Sequence, residues 1–111
     1  MTDAFDYVFD SSAVLSIVLQ ETDRNRAVDV LRRARDGHTR LAIPFMAIME
    51  SEYQLIRRFS VEDGSRFRLT AREWPATVFH SDENWGHEAA IVKARGGLSL
   101  ADAWIAALAL I

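Results

Sequence analysis

The residues of this chain best able to do chemistry are isolated carboxylates set in apolar surroundings. Asp102 lies inside "LSLADAWIAALALI", Leu98 to Ile111, an almost wholly apolar helix pattern. A charged residue on a helix normally occupies the side opposite the apolar stripe. Here Leu100, Trp104, Leu108 and Ile111 cover one face while Ile105, Ala106 and Ala109 lie around Asp102, so the spacing predicts a helix buried nearly all round. A carboxylate inside it must be protonated, paired with a cation or bound to a metal. Asp10 follows the apolar stretch "FDYVF" and precedes a helical pattern, the position where α/β folds build their sites. An Asp there serves as often to cap a helix or form a turn. The third acid is Glu50 or Glu52. On a helical wheel Glu52 falls inside the stripe of Phe45, Ile48, Met49, Tyr53, Ile56 and Phe59, whereas Glu50 lies at its edge beside Met46 and Arg57. Periodicity alone selects Glu52 as the buried acid.

Composition narrows the classes of function. A chain of 111 residues makes a single domain with a real core, and residues 1–111 are read as one unit. The absence of cysteine excludes disulfides and thiolate zinc sites. The acidic start "MTDAFDYVFD" lacks the basic, apolar plan of a secretory signal, and the closing apolar run is too short to span a bilayer. A cytoplasmic protein with no membrane association is expected. A net charge of -3 argues against gripping nucleic acid by bulk electrostatics alone. Arg24, Arg26, Arg32, Arg33, Arg35 and Arg40 nevertheless crowd one segment. They read either as a solvated helix face with intrahelical ion pairs or as a strip contacting phosphate or a partner. His38, His80 and His87 form no metal-binding pair and read as surface or structural residues. Trp104, Met46 and Met49 read as packing, with a dimer interface also open to Trp104, while Trp74 and Trp85 offer faces on which bases of a single strand could stack.

The elements that must position these acids alternate between strand and helix. Strands are expected at Phe5–Phe9, Arg40–Pro44 and Ala76–His80. Helices are expected over "SSAVLSIVLQ" with Ser11 or Ser12 as cap, from a Thr22 cap to Gly37, over Phe45–Phe59 behind Pro44, and over Glu62–Glu73 with a start weakened by Gly64. Ser81 should cap "DENWGHEAAIVKAR", Gly96 and Gly97 should end it, and Ser99 should cap the last helix with Asp102 as its capping-box partner. Strands separated by helices of this length imply a parallel sheet covered on both faces.

Three stretches, "YVFDSSAVLSIVL", "IPFMAIMESEYQLIRR" and "KARGGLSLADAWIAALAL", together resemble the PIN-domain ribonucleases, in particular the VapC-type toxins of toxin–antitoxin pairs. The likeness spans nearly the whole chain, with the motifs in order. It implies a PIN-like three-layer α/β/α sandwich with a central parallel sheet, and it selects Asp10, Glu50 rather than Glu52, and Asp102 as the site acids, with Ser11 beside Asp10. The family pattern usually continues into a further strand ending in another acid, so the resemblance implies that the final strand is missing here.

Clustered carboxylates about 4 Å apart repel by roughly 4 kcal/mol at an effective dielectric of about 20, which calls for a cation. Oxygen ligands favour Mg²⁺, or Mn²⁺ in its place, over zinc. The implied activity is metal-assisted hydrolysis of RNA phosphodiester bonds, with Asp10, Glu50 and Asp102 as catalytic metal ligands and Ser11 positioning water or phosphate. The implied partners are RNA, a VapB-like antitoxin and a second copy of the chain. A catalytically silent PIN-like module binding antitoxin or RNA is the alternative, and a metal-dependent phosphatase or DNA nuclease would use the same acids.

Overall fold

The computed structural model describes residues 5–80 and 82–110, so the expected cap Ser81 and the apolar Ile111 lie outside the described residues. The chain runs β1 (Tyr7–Val8), α1 (Ser11–Val18), α2 (Asn25–Arg35), β2 (Leu41–Pro44), α3 (Phe45–Arg58), α4 (Val61–Ala71), β3 (Thr77–Phe79), α5 (Glu83–Ala94) and α6 (Leu100–Leu110). The strands form a parallel sheet in the order β1-β2-β3, with Tyr7 opposite Leu41 and Ala42 opposite Thr77. Each strand is shorter than its apolar run suggested.

The sheet is the middle of three layers because β2 is buried on both faces. Successive strand side chains point to opposite sides. Leu41 and Ile43 accordingly join Phe9, Val14, Leu55 and Phe67 in a core beneath α1 to α4, while Ala42 joins Trp85, Ala89, Ala107 and Leu108 beneath α5 and α6. Burying Ile43 completely contributes about 1.5–3 kcal/mol. The expected α/β/α sandwich is therefore the observed one.

Local chemistry sets the helix ends, and three expected caps differ. Asp10, not Ser11 or Ser12, caps α1, since its side chain sits ahead of the turn and accepts from the Ala13 amide at 2.9 Å. Thr22 does not cap α2, whose first residue follows Arg24 without a side-chain cap. Asp82 caps α5 in place of Ser81, accepting from the Trp85 amide at 2.7 Å. Ser60 caps α4. Gly37, Gly96 and Gly97 take positive φ, which lets α2 and α5 stop where expected.

Gly64 does more than weaken a helix start. It is buried where α4 crosses α3, and a Cβ there would lie 2.6 Å from Ile56 Cγ1 and 3.3 Å from Glu52 Cγ. Its missing side chain is what lets the two helices touch.

The Arg-rich segment follows the solvated reading in part. Arg32 and Arg35 are exposed, Arg24 donates to the Gln20 and Glu21 carbonyls, and Arg33 donates to the Tyr7 hydroxyl. Among the described residues no ion pair forms within α2, so its charges do not neutralise one another.

Candidate active site

Asp10 and Glu50 follow the carboxyl ends of neighbouring strands, the first lying two residues past the end of β1 and the second in the second turn of the helix that follows β2. Asp102 lies in the first turn of α6. That helix packs on α5, α3, β1 and β2, and the Trp104 ring meets Phe45, the first residue of α3, with centroids 6.0 Å apart. The start of α6 therefore belongs to the same end of the sheet.

The environment of each acid differs from the sequence reading in an informative way. Asp102 is exposed, not buried. Only one stripe of α6, through Ala103, Ala107 and Leu108, is packed away, and Leu100 and Ala109 are exposed along with the acid. The apolar character of this helix therefore did not report burial on every side. Its entry is as expected in one respect: the Asp102 amide donates to Ser99 Oγ at 3.1 Å.

Glu50, by contrast, is half-buried, and its Oε2 is fully buried without a hydrogen-bond partner among the described residues. Glu52 is half-buried as well, so burial alone does not separate the two acids; the partnerless oxygen is what distinguishes Glu50. The buried stripe of α3 runs through the small residues Ala47 and Ser51 to Leu55, and the bulky Met49, Tyr53, Ile56 and Phe59 face outward. Met49 is therefore not a packing residue. Glu50 and Glu52 differ by about 200° around the helix and flank that buried stripe on opposite sides.

Asp10 is exposed, and one of its carboxylate oxygens is engaged in the α1 cap. Ser11 is half-buried and its hydroxyl makes no hydrogen bond among the described residues. Among the described residues no three His, Asp or Glu side chains stand close enough to hold a metal ion together. What fits a cation is the donor chemistry: carboxylate oxygens only, one of them desolvated and unsatisfied. A buried acceptor left without a partner costs about 1–3 kcal/mol.

Trp104 is a packing residue of the core. Trp85 is completely buried, its ring stands at 90° and 4.7 Å from that of Trp104, and its Nε1 donates to the Trp104 carbonyl at 2.7 Å. Phe45 and Phe79 close on Trp85 edge to face. This aromatic cluster locks α5 and α6 to the strand ends, and it removes Trp85 from any role in stacking bases. His80 and His87 are exposed.

Two cavities open beside α3 that the sequence did not announce. One, of about 610 Å³, lies between α1, α3 and α4 and is lined by Ile17, Leu55, Phe59, Phe67 and Trp74 with Arg66 at its side. The other, of about 430 Å³, lies on the Glu52 flank, where Arg68, Arg72 and His80 surround an apolar floor. The signal for the second was the i, i+4 spacing of Arg68 and Arg72, overshadowed by the denser arginines of α2.

No helix among the described residues is long and apolar enough to cross a membrane. Comparison with curated proteins finds no match. A family model described as the PIN domain matches residues 7–111. With the parallel sheet, its two covering helix layers and the acids at the strand ends, that match shows that the chain belongs to the PIN-domain family, a nuclease-type fold that generally works with divalent metal ions.

Proposed function

We propose that this protein is a metal-dependent endoribonuclease and the VapC-type toxin of a toxin–antitoxin pair. The observation that carries the catalytic reading is the buried Oε2 of Glu50, without a partner among the described residues, in the helix that follows β2, the strand paired with the β1 that precedes Asp10. Asp10, Glu50 and Asp102 would supply the oxygen donors for Mg²⁺, with Mn²⁺ as substitute. When bound, the ion supplies Lewis-acid stabilisation of the phosphoryl oxygens and an acidified water. The chain's own contribution is positioning. The Ala13 amide fixes one oxygen of Asp10, the bond to Ser99 Oγ fixes the Asp102 backbone, and the unengaged Ser11 hydroxyl stands beside Asp10 to orient a water or phosphate oxygen.

The partners follow from the apolar surface. Met49, Tyr53 and Ile56 run exposed along α3, a face suited to a second copy of the chain. The groove lined by Ile17, Leu55, Phe67 and Trp74 suits an apolar segment of an antitoxin. A silent PIN-like binding module is the second reading, favoured by the lack of a preformed three-ligand group among the described residues.

A cleavage assay on single-stranded RNA with Mg²⁺ or Mn²⁺ decides between them. The nuclease reading expects hydrolysis that EDTA abolishes, and loss of both activity and Mn²⁺ binding in Asp10→Asn and Asp102→Asn while the fold persists. Undiminished cleavage in EDTA, or no cleavage with either ion, would overturn it.

A further inference from the structure

We propose that the cavity on the Glu52 flank of α3 binds one nucleotide of a single RNA strand, with Arg68 and Arg72 on the phosphate and Glu52 reading the base. The proposal deepens the nuclease reading and rests on it for the identity of the strand.

The cavity holds about 430 Å³, within the size range of small-ligand sites. Its floor is apolar, built from Phe45, Ile48 and Val78, and suits the flat face of a base. Arg68 lies on α4 and Arg72, four residues on, is its C-cap in helical conformation, so they share one side of the helix. Both are exposed, and neither makes a hydrogen bond or ion pair among the described residues. Two unneutralised guanidiniums at the edge of an apolar pocket match a phosphate flanking a base, and their planar forks are suited to its oxygens.

Glu52 adds discrimination. It lines the same pocket and is half-buried, with its Cγ held near Gly64. A carboxylate there is an acceptor only, so it favours the exocyclic amino groups of adenine, cytosine or guanine over uracil, whose one ring N3–H is flanked by two carbonyl oxygens. His80 stands at the rim directly after β3. Asp10 stands two residues past the end of β1 in the same three-stranded parallel sheet, so both mark its carboxyl end. Strands of a sheet lie about 4.8 Å apart, and one RNA strand crossing that end therefore reaches both the pocket and the acids.

The test measures binding and cleavage separately. Fluorescence anisotropy with a labelled single-stranded RNA in EDTA, where metal-dependent cleavage stops, should show at least a tenfold loss of affinity in Arg68→Ala/Arg72→Ala. The slope of log affinity against log salt should flatten by about 0.7, the value for one neutralised single-strand phosphate. Arg32→Ala/Arg35→Ala on α2 should bind as the unaltered protein does. Glu52→Gln should reduce the preference for adenine-, cytosine- or guanine-containing RNA over oligouridine. With metal, the double Arg variant should raise KM for RNA with kcat little changed. Equal binding by the Arg68/Arg72 variant, an equal loss in the α2 variant, or no RNA binding at all would overturn the pocket. Arg68- and Arg72-dependent binding without any metal-dependent cleavage would leave the pocket standing and overturn the nuclease reading instead.

Discussion

Glu50 and Glu52 lie on opposite flanks of α3: the first buries Oε2 with no hydrogen-bond partner, and the second lines a cavity beside Gly64, whose own added Cβ would lie 3.3 Å from Glu52 Cγ. Two acids separated by one residue are thereby given different surroundings. Glu50→Gln should abolish metal-dependent cleavage and weaken Mn²⁺ binding, because it removes the charge from the desolvated position. Glu52→Gln should keep kcat within a few-fold. Comparing both variants in one assay decides, and loss confined to Glu52→Gln would move the catalytic acid to the other flank.

The same pair shows where sequence reasoning reaches its limit. The order of strands and helices was legible, because Pro44, the glycine stops and the apolar runs are local signals that the three-layer fold obeys. Which side of α3 faces the core was not legible. Hydrophobicity pointed to Met49, Tyr53 and Ile56, whereas close packing against the neighbouring layers demanded the small Ala47 and Ser51, both fully buried. Ser51 satisfies its hydroxyl internally, donating to the Ala47 carbonyl at 2.7 Å, so a polar residue fits there without penalty. Asp102 failed in the opposite direction, an acid in an apolar helix that is nonetheless exposed. In both cases the error is one of facing, which depends on neighbours far away in sequence.

Gly64 offers a test of the α3–α4 contact. In a helix Gly→Ala normally gains about 1 kcal/mol. Here the new methyl meets Ile56 Cγ1 at 2.6 Å and the Glu52 backbone carbonyl at 3.3 Å, and such overpacking costs about 1–3 kcal/mol. Gly64→Ala alone should therefore lower stability or leave it level, whereas in an Ile56→Ala background it should stabilise. A double-mutant cycle by urea denaturation reads the coupling, and a gain in both backgrounds would show that the helices do not touch there.

Asp6 links β1 to the segment entering β2. Its Oδ2 accepts from the Arg40 amide at 2.8 Å and from Thr39 Oγ1 at 3.1 Å. The Arg40 backbone bond first, then the Thr39 hydroxyl and the charges of Arg40 and Arg33, hold its pKa below the ordinary carboxylate value, with slight burial opposing. A depressed folded-state value means stability that is present above the unfolded pKa and lost as pH falls through the folded one. Asp6→Asn should reduce the melting temperature at neutral pH and flatten its decline at acid pH. Parallel acid limbs in the two proteins would show that Asp6 contributes no such linkage.

Tyr53 tests the face proposed for a second copy. It is 48% exposed between Met49 and Ile56, with Phe59 at 60% further along and Leu69 at 56% on α4, an outward apolar surface of the kind that marks contact sites. Arg57 lies over the Tyr53 ring at 5.9 Å and donates to its hydroxyl at 3.1 Å, so the ring is held in place. A carboxylate introduced there would be desolvated by any partner but would remain in water on a monomer. Tyr53→Glu should therefore shift the protein from dimer to monomer in sedimentation velocity. The unfolding free energy of the isolated chain should change by only about 0.5 kcal/mol, as for an ordinary surface substitution. The residue lies outside the lining of the nucleotide cavity, so RNA binding per chain should persist. Monomeric behaviour of the unaltered chain at every concentration up to its solubility limit, or an undisturbed dimer in the variant, would place the contact elsewhere.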